Sequence, residues 1–367
     1  MQQLIVRGRG SLNAANLTAM MAQLSMRRPM LVCSQRMQGD FLARTGLDYP
    51  LFSGYHANPD LADAAAGVDI YRENGCDGLI SVGGGSAMDT AKAVKALLLA
   101  GDMEAVKASR LPEGTLPHIA IPGTAGTGAE ATPIAVVYVE NEKLSLDHPQ
   151  LLPEGIILDS SLLDTLPLYH KKACAMDALC QGIESYWAAA ATAESRIHAE
   201  RAILGVLRNM NAYLSGDADA ADAVLDAAYA SGCAIRISRT TAAHAMSYQI
   251  TKRIGPAHGH ACMLTLPHLW RHMGDAPILT ALNALMGTED GDSLLRGLLA
   301  ATDMLPDVFP DAATLEALTA SVNVQRLGNH PQKLTAADLR TVYEQAFAPV
   351  AQEERARLAA LWRNYAG

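Results

Sequence analysis

Gly78-Leu-Ile-Ser-Val-Gly-Gly-Gly-Ser-Ala-Met-Asp-Thr-Ala-Lys92 decides how this chain is read. The first five residues are a compact apolar run, the last residues have helical spacing, and a glycine triplet joins them. Glycine lets the backbone approach a ligand closely. A helix opening there offers free N–H groups and a partial positive charge to a phosphate. The triplet is not the GxGxxG fingerprint, and a plain strand-to-helix turn is the simpler alternative. A second polar, glycine-rich loop, Pro122-Gly-Thr-Ala-Gly-Thr-Gly-Ala-Glu130, follows the apolar run His118–Ile121. Two such loops at the carboxyl ends of strands make one ligand crevice in an open α/β sheet.

Outward from this turn the pattern repeats. Pro29–Cys33, Gly78–Val82, His118–Ile121 and Gly155–Leu158 are short apolar runs of the kind that form buried parallel strands. Leu61–Asn74 and Ala87–Ala100 have the spacing of crossover helices, and Ala131–Val139 with Lys143–Leu146 reads as an added hairpin or edge. From Leu162 the texture changes to long Ala- and Leu-rich segments: Lys171–Ala191, Glu194–Ser215, Ala220–Ser238 and Thr240–Met273, the last broken at Gly255-Pro256. Ala336–Tyr365 reads as an amphipathic tail helix. The expected architecture is an α/β domain with a Rossmann-like parallel sheet over residues 1–160, followed by an all-α domain over residues 161–367.

Bulk properties narrow the function. A length of 367 residues exceeds the usual single core and agrees with two domains. The net charge of −9 argues against nucleic acid as a partner, which requires a basic surface. The six cysteines are dispersed without a CxxC pair, as expected of free thiols in a reducing compartment. Met1–Gly10 carries Arg7 and Arg9 and lacks an apolar stretch, and no apolar run approaches the ~20 residues that span a bilayer. A soluble cytoplasmic protein with no membrane partner is expected.

The helical half carries a second signal. Asp177 and Gln181 stand four residues apart, on one face of a helix, and His244 and His258 follow on a later segment. An acid, an amide and two histidines suit a divalent cation.

Four stretches, GGGSAMDTAK (83–92), PGTAGTGAE (122–130), DALCQGIESYW (177–187) and His244-Ala-Met with Gly255-Pro-Ala-His-Gly-His-Ala261, together resemble the iron-containing (group III) alcohol dehydrogenase family. They occur in the family's order and span nearly the whole chain. The spellings DALCQ, ESYW and TTAAHAMSY are most similar to the branch containing phosphonoacetaldehyde reductases. The resemblance implies the dehydroquinate synthase-like architecture and a nicotinamide cofactor, NAD(P)H, laid over the glycine turn. Asn58, Gly85, Ser86, Asp89, Thr124, Thr127, Thr132, Lys143, Leu162, Thr165 and Leu166 match positions lining that cofactor. Ser34 stands where NAD-specific relatives carry an acid. A serine does not repel a 2′-phosphate, and Arg36 is able to pair with one, so NADPH is permitted; both are equally readable as solvated turn residues.

The family's ion, Fe2+ first and Zn2+ or Mn2+ as alternatives, is held by Asp, a His four residues on, and two His fourteen apart. Asp177, His244 and His258 fit that pattern, and Gln181 replaces the first histidine with a neutral, weaker donor. Cys180 is a possible substitute donor, with a buried structural thiol as the commoner role. Tyr248 stands where many relatives have a histidine near the substrate, and a proton relay there passes to tyrosine. His260 and His268 read as structural, and Ser247 as a plain helix hydroxyl. Substrate-contacting positions fall near Ile134 and Ile235, which makes Arg239 the expected anchor for an anionic substrate. The implied reaction is NAD(P)H-dependent reduction of a small polar aldehyde, such as phosphonoacetaldehyde to 2-hydroxyethylphosphonate, by a homodimer. Two alternatives stay open: a metal- and nucleotide-dependent lyase or cyclase of dehydroquinate-synthase type, and a non-catalytic nucleotide-binding relative.

Overall fold

The computed structural model describes residues 3–57, 59–140, 142–322 and 327–366. The chain divides into two compact units, Met1–Leu166 and Pro167–Gly367. The first contains strands β1 (Leu4–Arg7), β2 (Pro29–Val32), β3 (Leu51–Phe52), β4 (Gly78–Gly83), β5 (His118–Pro122), β6 (Ile134–Val139), β7 (Glu142–Asp147) and β8 (Gly155–Leu158). Its helices are α1 (Ala14–Gln23), α2 (Gln35–Thr45), α3 (Leu61–Glu73), α4 (Gly85–Ala100) and α5 (Met103–Lys107).

Six strands form one parallel sheet in the order β1-β8-β5-β4-β2-β3. β2, β5 and β8 are buried at every position, which is why they read as unbroken apolar runs rather than alternating ones. β6 and β7 pair antiparallel as the expected hairpin. β1 was not anticipated. It is a four-residue edge strand, and its register partner for Leu4 is Gly155, so nothing local marks it. α4 begins at Gly85, earlier than the expected Ala87, because Gly84 takes the extended cap position and turns the chain directly into the helix.

The second unit is helical: α6 (Leu168–Trp187), α7 (Ala193–Leu214), α8 (Ala218–Ser238), α9 (Ala242–Arg253), α10 (His258–His272), α11 (Pro277–Met286), α12 (Gly291–Ala301), α13 (Ala312–Ala320), α14 (Ala336–Ala346) and α15 (Gln352–Ala366). The expected break between α9 and α10 is real. Gly255 has φ +103°, outside the range comfortable for a side chain, and Pro256 follows. The tail is two helices rather than one, parted around Pro349. All six cysteines are free. Among the described residues, no helix is long and apolar enough to cross a membrane.

Candidate metal centre and phosphate-binding turn

In the first unit, β4 delivers the glycine triplet. Gly83 has φ +145°, and a Cβ there would meet Ala87 at 3.2 Å. Gly123 donates its N–H to the Gly83 carbonyl at 2.8 Å, and this bond ties the two glycine-rich loops together. Thr124 and Thr127 belong to the second loop. Their side chains stand 3.3 and 3.2 Å from where a Cβ would lie on Gly84 and Gly85. Any side chain at either glycine therefore crowds the start of α4, where the helix presents its unpaired N–H groups.

Behind the turn, Lys92 is fully buried and donates to the carbonyls of Ala129 and Ile134 at 2.7 Å each, and to Thr132 Oγ1 at 3.4 Å. Burial pulls its ammonium down to about 8, against the attraction of Asp89 and Glu130. Asp89 accepts from the Val136 amide at 3.1 Å. Burial lifts its carboxyl to about 6, against Lys92, that amide and Lys143. Asp89 and Thr132 thus stand at Lys92, Lys143 acts on Asp89, and Gly85, Ser86, Thr124 and Thr127 gather at the turn. Ser34 caps the N-terminus of α2 by accepting from Met37 N at 3.3 Å. Arg36 reaches the carbonyl of Thr165 at 3.4 Å, and Leu162, Thr165 and Leu166 all fall within this first unit. Asn58 lies outside the described residues.

In the second unit, α6 carries Asp177, Gln181 and Glu184 on one buried face. α9 supplies His244 in its first turn, and α10 begins at His258. Gly259 explains how α10 reaches α6. A Cβ there would lie 2.1 Å from the Ala173 carbonyl and 2.5 Å from Asp177 Cβ, so only glycine permits this approach. Asp177, His244, His258 and Cys262 result: each offers a ligand atom, and all four atoms lie within 4.8 Å of one another. His244 Nε2 stands 3.3 Å from Asp177 Oδ1, and His258 Nε2 stands 3.9 Å from it. Asp177 Oδ1 and His244 Nε2 are both buried and lack hydrogen-bond partners among the described residues. Buried polar atoms without partners are costly, and a cation between them removes the cost.

Both histidines are aimed. His244 Nδ1 pairs with Glu184 Oε2, and Ser247 Oγ meets His258 Nδ1 at 3.2 Å. A partner on Nδ1 leaves Nε2 of each ring to act as a ligand. Glu184 is itself locked. Its Oε1 accepts from Thr241 N at 3.0 Å, Thr241 Oγ1 at 2.7 Å and Ala243 N at 2.9 Å. Burial alone would raise the Asp177 carboxyl, but the facing His258 and His244 and the Gln181 amide outweigh it and hold it low. Burial opposes charge on both rings, yet the Cys262 sulfur and the surrounding carboxylates raise His244 and His258.

Tyr248 lies one turn beyond His244, and its ring stacks on His258 at 5.6 Å between centroids with the planes 12° apart. Arg239 is exposed at the C-terminal cap of α8, with φ +63°. Gln181 is buried, and its Oε1 accepts from Ser231 Oγ at 2.7 Å. His260 bonds the Met304 carbonyl at 2.7 Å, and His268 is a buried ring outside the cluster. Cys180, the substitute donor considered from sequence, is not one of the four; Cys262 is. Glu184, Gly259 and Cys262 are absent from the site residues expected from sequence, and Ser247 reads there as a plain helix hydroxyl; the structure places all four at this cluster. Two of them had a usable signal: Glu184 is seven residues after Asp177, and Cys262 is four after His258, each on a shared helical face.

The family model for iron-containing alcohol dehydrogenase matches residues 3–160, and the C-terminal model of the Fe-containing alcohol dehydrogenase family matches residues 172–307. The chain belongs to the iron-containing alcohol dehydrogenase family. It is an oxidoreductase of the alcohol dehydrogenase type. It is similar to phosphonoacetaldehyde reductase of Streptomyces viridochromogenes, with 32% identity over 315 residues covering 77% of this chain and 80% of that one. Lactaldehyde reductase of Escherichia coli is 30% identical over 245 residues, 64% of this chain and 63% of that one. The fold matches that of sulfoacetaldehyde reductase from Bifidobacterium kashiwanohense in complex with NAD+, with TM-score 0.87, 24% identity and coverage of 95% and 98%.

Proposed function

We propose that this member of the family is an NAD(P)H- and metal-dependent reductase of a small polar aldehyde, with phosphonoacetaldehyde to 2-hydroxyethylphosphonate as the leading reaction. The observation carrying the reading is the convergence of Asp177 with two histidines whose Nδ1 atoms are each engaged by a partner, so that both Nε2 atoms face the cluster. A similarity of 32% to phosphonoacetaldehyde reductase supports the substrate class.

Asp177, His244 and His258 would hold the dication; Asp177 Oδ1 and His244 Nε2 are buried without partners, and the donor chemistry of all three fits one. When bound, the metal polarises the aldehyde carbonyl and the reduced nicotinamide supplies the hydride. The remaining work falls to side chains. Glu184 keeps the His244 proton on Nδ1, and Ser247 fixes the His258 ring. Tyr248, stacked on His258, is assigned the proton delivered from its hydroxyl to the product oxygen. Arg239 is assigned the anionic group of the substrate, for which a guanidinium offers paired donors. At the Gly83–Ser86 turn, the α4 N-terminus and the absence of side chains suit a pyrophosphate. The cofactor-lining set is Ser34, Gly85, Ser86, Asp89, Thr124, Thr127, Thr132, Lys143, Leu162, Thr165 and Leu166. Ser34 and Arg36 leave room for NADPH as well as NADH. A homodimer is the expected assembly, to be checked by light scattering.

The test is a crossed assay of phosphonoacetaldehyde and a neutral aldehyde of similar size. Each is run with NADH and with NADPH after chelator treatment and readdition of Fe2+, Zn2+ or Mn2+. Cofactor oxidation that needs added metal and favours the phosphonate is the expected result. No oxidation under any combination would refute the reading.

A further inference from the structure

Gln181 stands four residues after Asp177, where an α-helix places a second side chain on the same face, yet the structure employs it otherwise. Its Oε1 is taken by Ser231 Oγ at 2.7 Å, and its amide also supports Asp177. The Ser231 bond occupies one of the two lone pairs on the amide oxygen and the amide nitrogen has none to offer, so a Gln181 held this way is a poorer metal donor than a thiolate. The fourth donor comes from a different helix. Cys262 is buried on α10, one turn after His258, and its Sγ lies 3.8 Å from His258 Nε2. The same helix position that Gly259 pulls against α6 therefore brings both His258 and Cys262 to Asp177.

We infer that Cys262 is the fourth protein ligand of the metal centre, and that its sulfur makes this centre select zinc over iron. The inference rests on the metal site proposed above and deepens it. A tetrahedral zinc with Zn–N near 2.0–2.1 Å and Zn–S near 2.3 Å would place neighbouring donors about 3.3–3.6 Å apart. Asp177 to His244 matches at 3.3 Å, His258 to Cys262 at 3.8 Å and Asp177 to His258 at 3.9 Å are wider, and all four donor atoms lie within 4.8 Å of one another. Binding would draw the donors inward. Thiolate is a soft donor that favours zinc, and the stability order of divalent metals already ranks Zn2+ above Fe2+ at nitrogen and sulfur sites. An aspartate, two histidines and a thiolate form a harder site for iron to win than an aspartate with three histidines. Gln181 becomes a positioning residue, holding the Asp177 carboxylate through its amide.

The experiment uses the full chain, stripped with chelator and titrated with Zn2+, Fe2+ (anaerobically) and Co2+. The parent is compared with Cys262→Ser, Cys262→His and Gln181→Leu. Removing groups around a metal's ligands costs roughly 10–100-fold in affinity, so losing a ligand itself should cost more. Cys262→Ser is expected to weaken Zn2+ at least ~100-fold and to narrow the Zn2+/Fe2+ preference. Cys262→His keeps a ligand and should retain tight binding. Co2+ bound to the parent should show a thiolate-to-cobalt charge-transfer band in the near ultraviolet that both Cys262 variants lack. Gln181→Leu should retain that band. Tight metal binding by the parent without the band, or unchanged zinc affinity in Cys262→Ser, would mean that Cys262 only hydrogen-bonds to His258. The inference would fail while the metal site stands. A parent that binds none of the three metals overturns both.

Discussion

Glu184→Gln is the most discriminating single change, because it alters charge and not shape. The carboxylate accepts four hydrogen bonds on Oε1, from Thr241 N, Thr241 Oγ1, Ala243 N and, longer at 3.4 Å, His244 N, and pairs with His244 Nδ1 through Oε2. Bonds to a charged acceptor contribute about 1.5–3 kcal/mol each and neutral ones about 0.5–1.5 kcal/mol, so neutralising Glu184 costs ~1 kcal/mol per bond. The three shorter bonds, from Thr241 N, Thr241 Oγ1 and Ala243 N, give a loss of about 3 kcal/mol, and at ~2–4 °C per kcal/mol the protein should melt roughly 6–12 °C lower. The second effect is chemical. The Gln Nε2 group is a donor facing a ring nitrogen that was also a donor. His244 must then carry its proton on Nε2, the atom needed for the metal. Metal affinity should fall about 10–100-fold, as for other lost partners of ligating histidines. Calorimetry of the apo protein and competition with a chromogenic chelator read the two effects separately. A variant that melts with the parent and binds metal equally well would show that Glu184 neither stabilises α9 nor sets the tautomer.

Gly259→Ala should be severely damaging, since its Cβ would lie 2.1 Å from the Ala173 carbonyl; low soluble yield or loss of metal is expected, and full metal content would refute the packing argument. Gly84→Val should weaken nucleotide binding at least ~10-fold, read by fluorescence titration, without changing metal content, because it blocks the turn rather than the cluster. His330 is buried against Trp187, and burial, opposed by Glu184 and reinforced by His272, lowers its pKa to about 4. A histidine lowered on folding contributes stability above about 6.5 that is lost as pH falls toward 4, up to ~3 kcal/mol. His330→Phe should therefore be more stable than the parent near pH 5 and similar near pH 8, and equal differences at both would refute the assignment. Arg239→Met should lower kcat/KM for a phosphonate aldehyde roughly 10–100-fold while sparing a neutral aldehyde. Equal losses for both would assign Arg239 to the fold.

The sequence by itself determined the architecture. β2, β4, β5 and β8 are apolar because both faces of a parallel sheet are covered, and that burial is written locally. The glycine turn is legible for the same reason, as a strand that runs into a helix through glycines, whereas the spacing of His244 and His258 takes its meaning from the resemblance to the family. β1 and the make-up of the Asp177 cluster were not legible. β1 needs β8 as its neighbour, and the fourth member of the cluster depends on which side chain faces Asp177 once three helices pack. Spacing within α6 puts Gln181 beside Asp177. Ser231 on α8 claims its oxygen instead, and Gly259 brings α10 close enough for Cys262 to face Asp177. Helical periodicity says which residues share a face; only tertiary packing decides which of them a neighbouring helix satisfies first and which remain for a ligand.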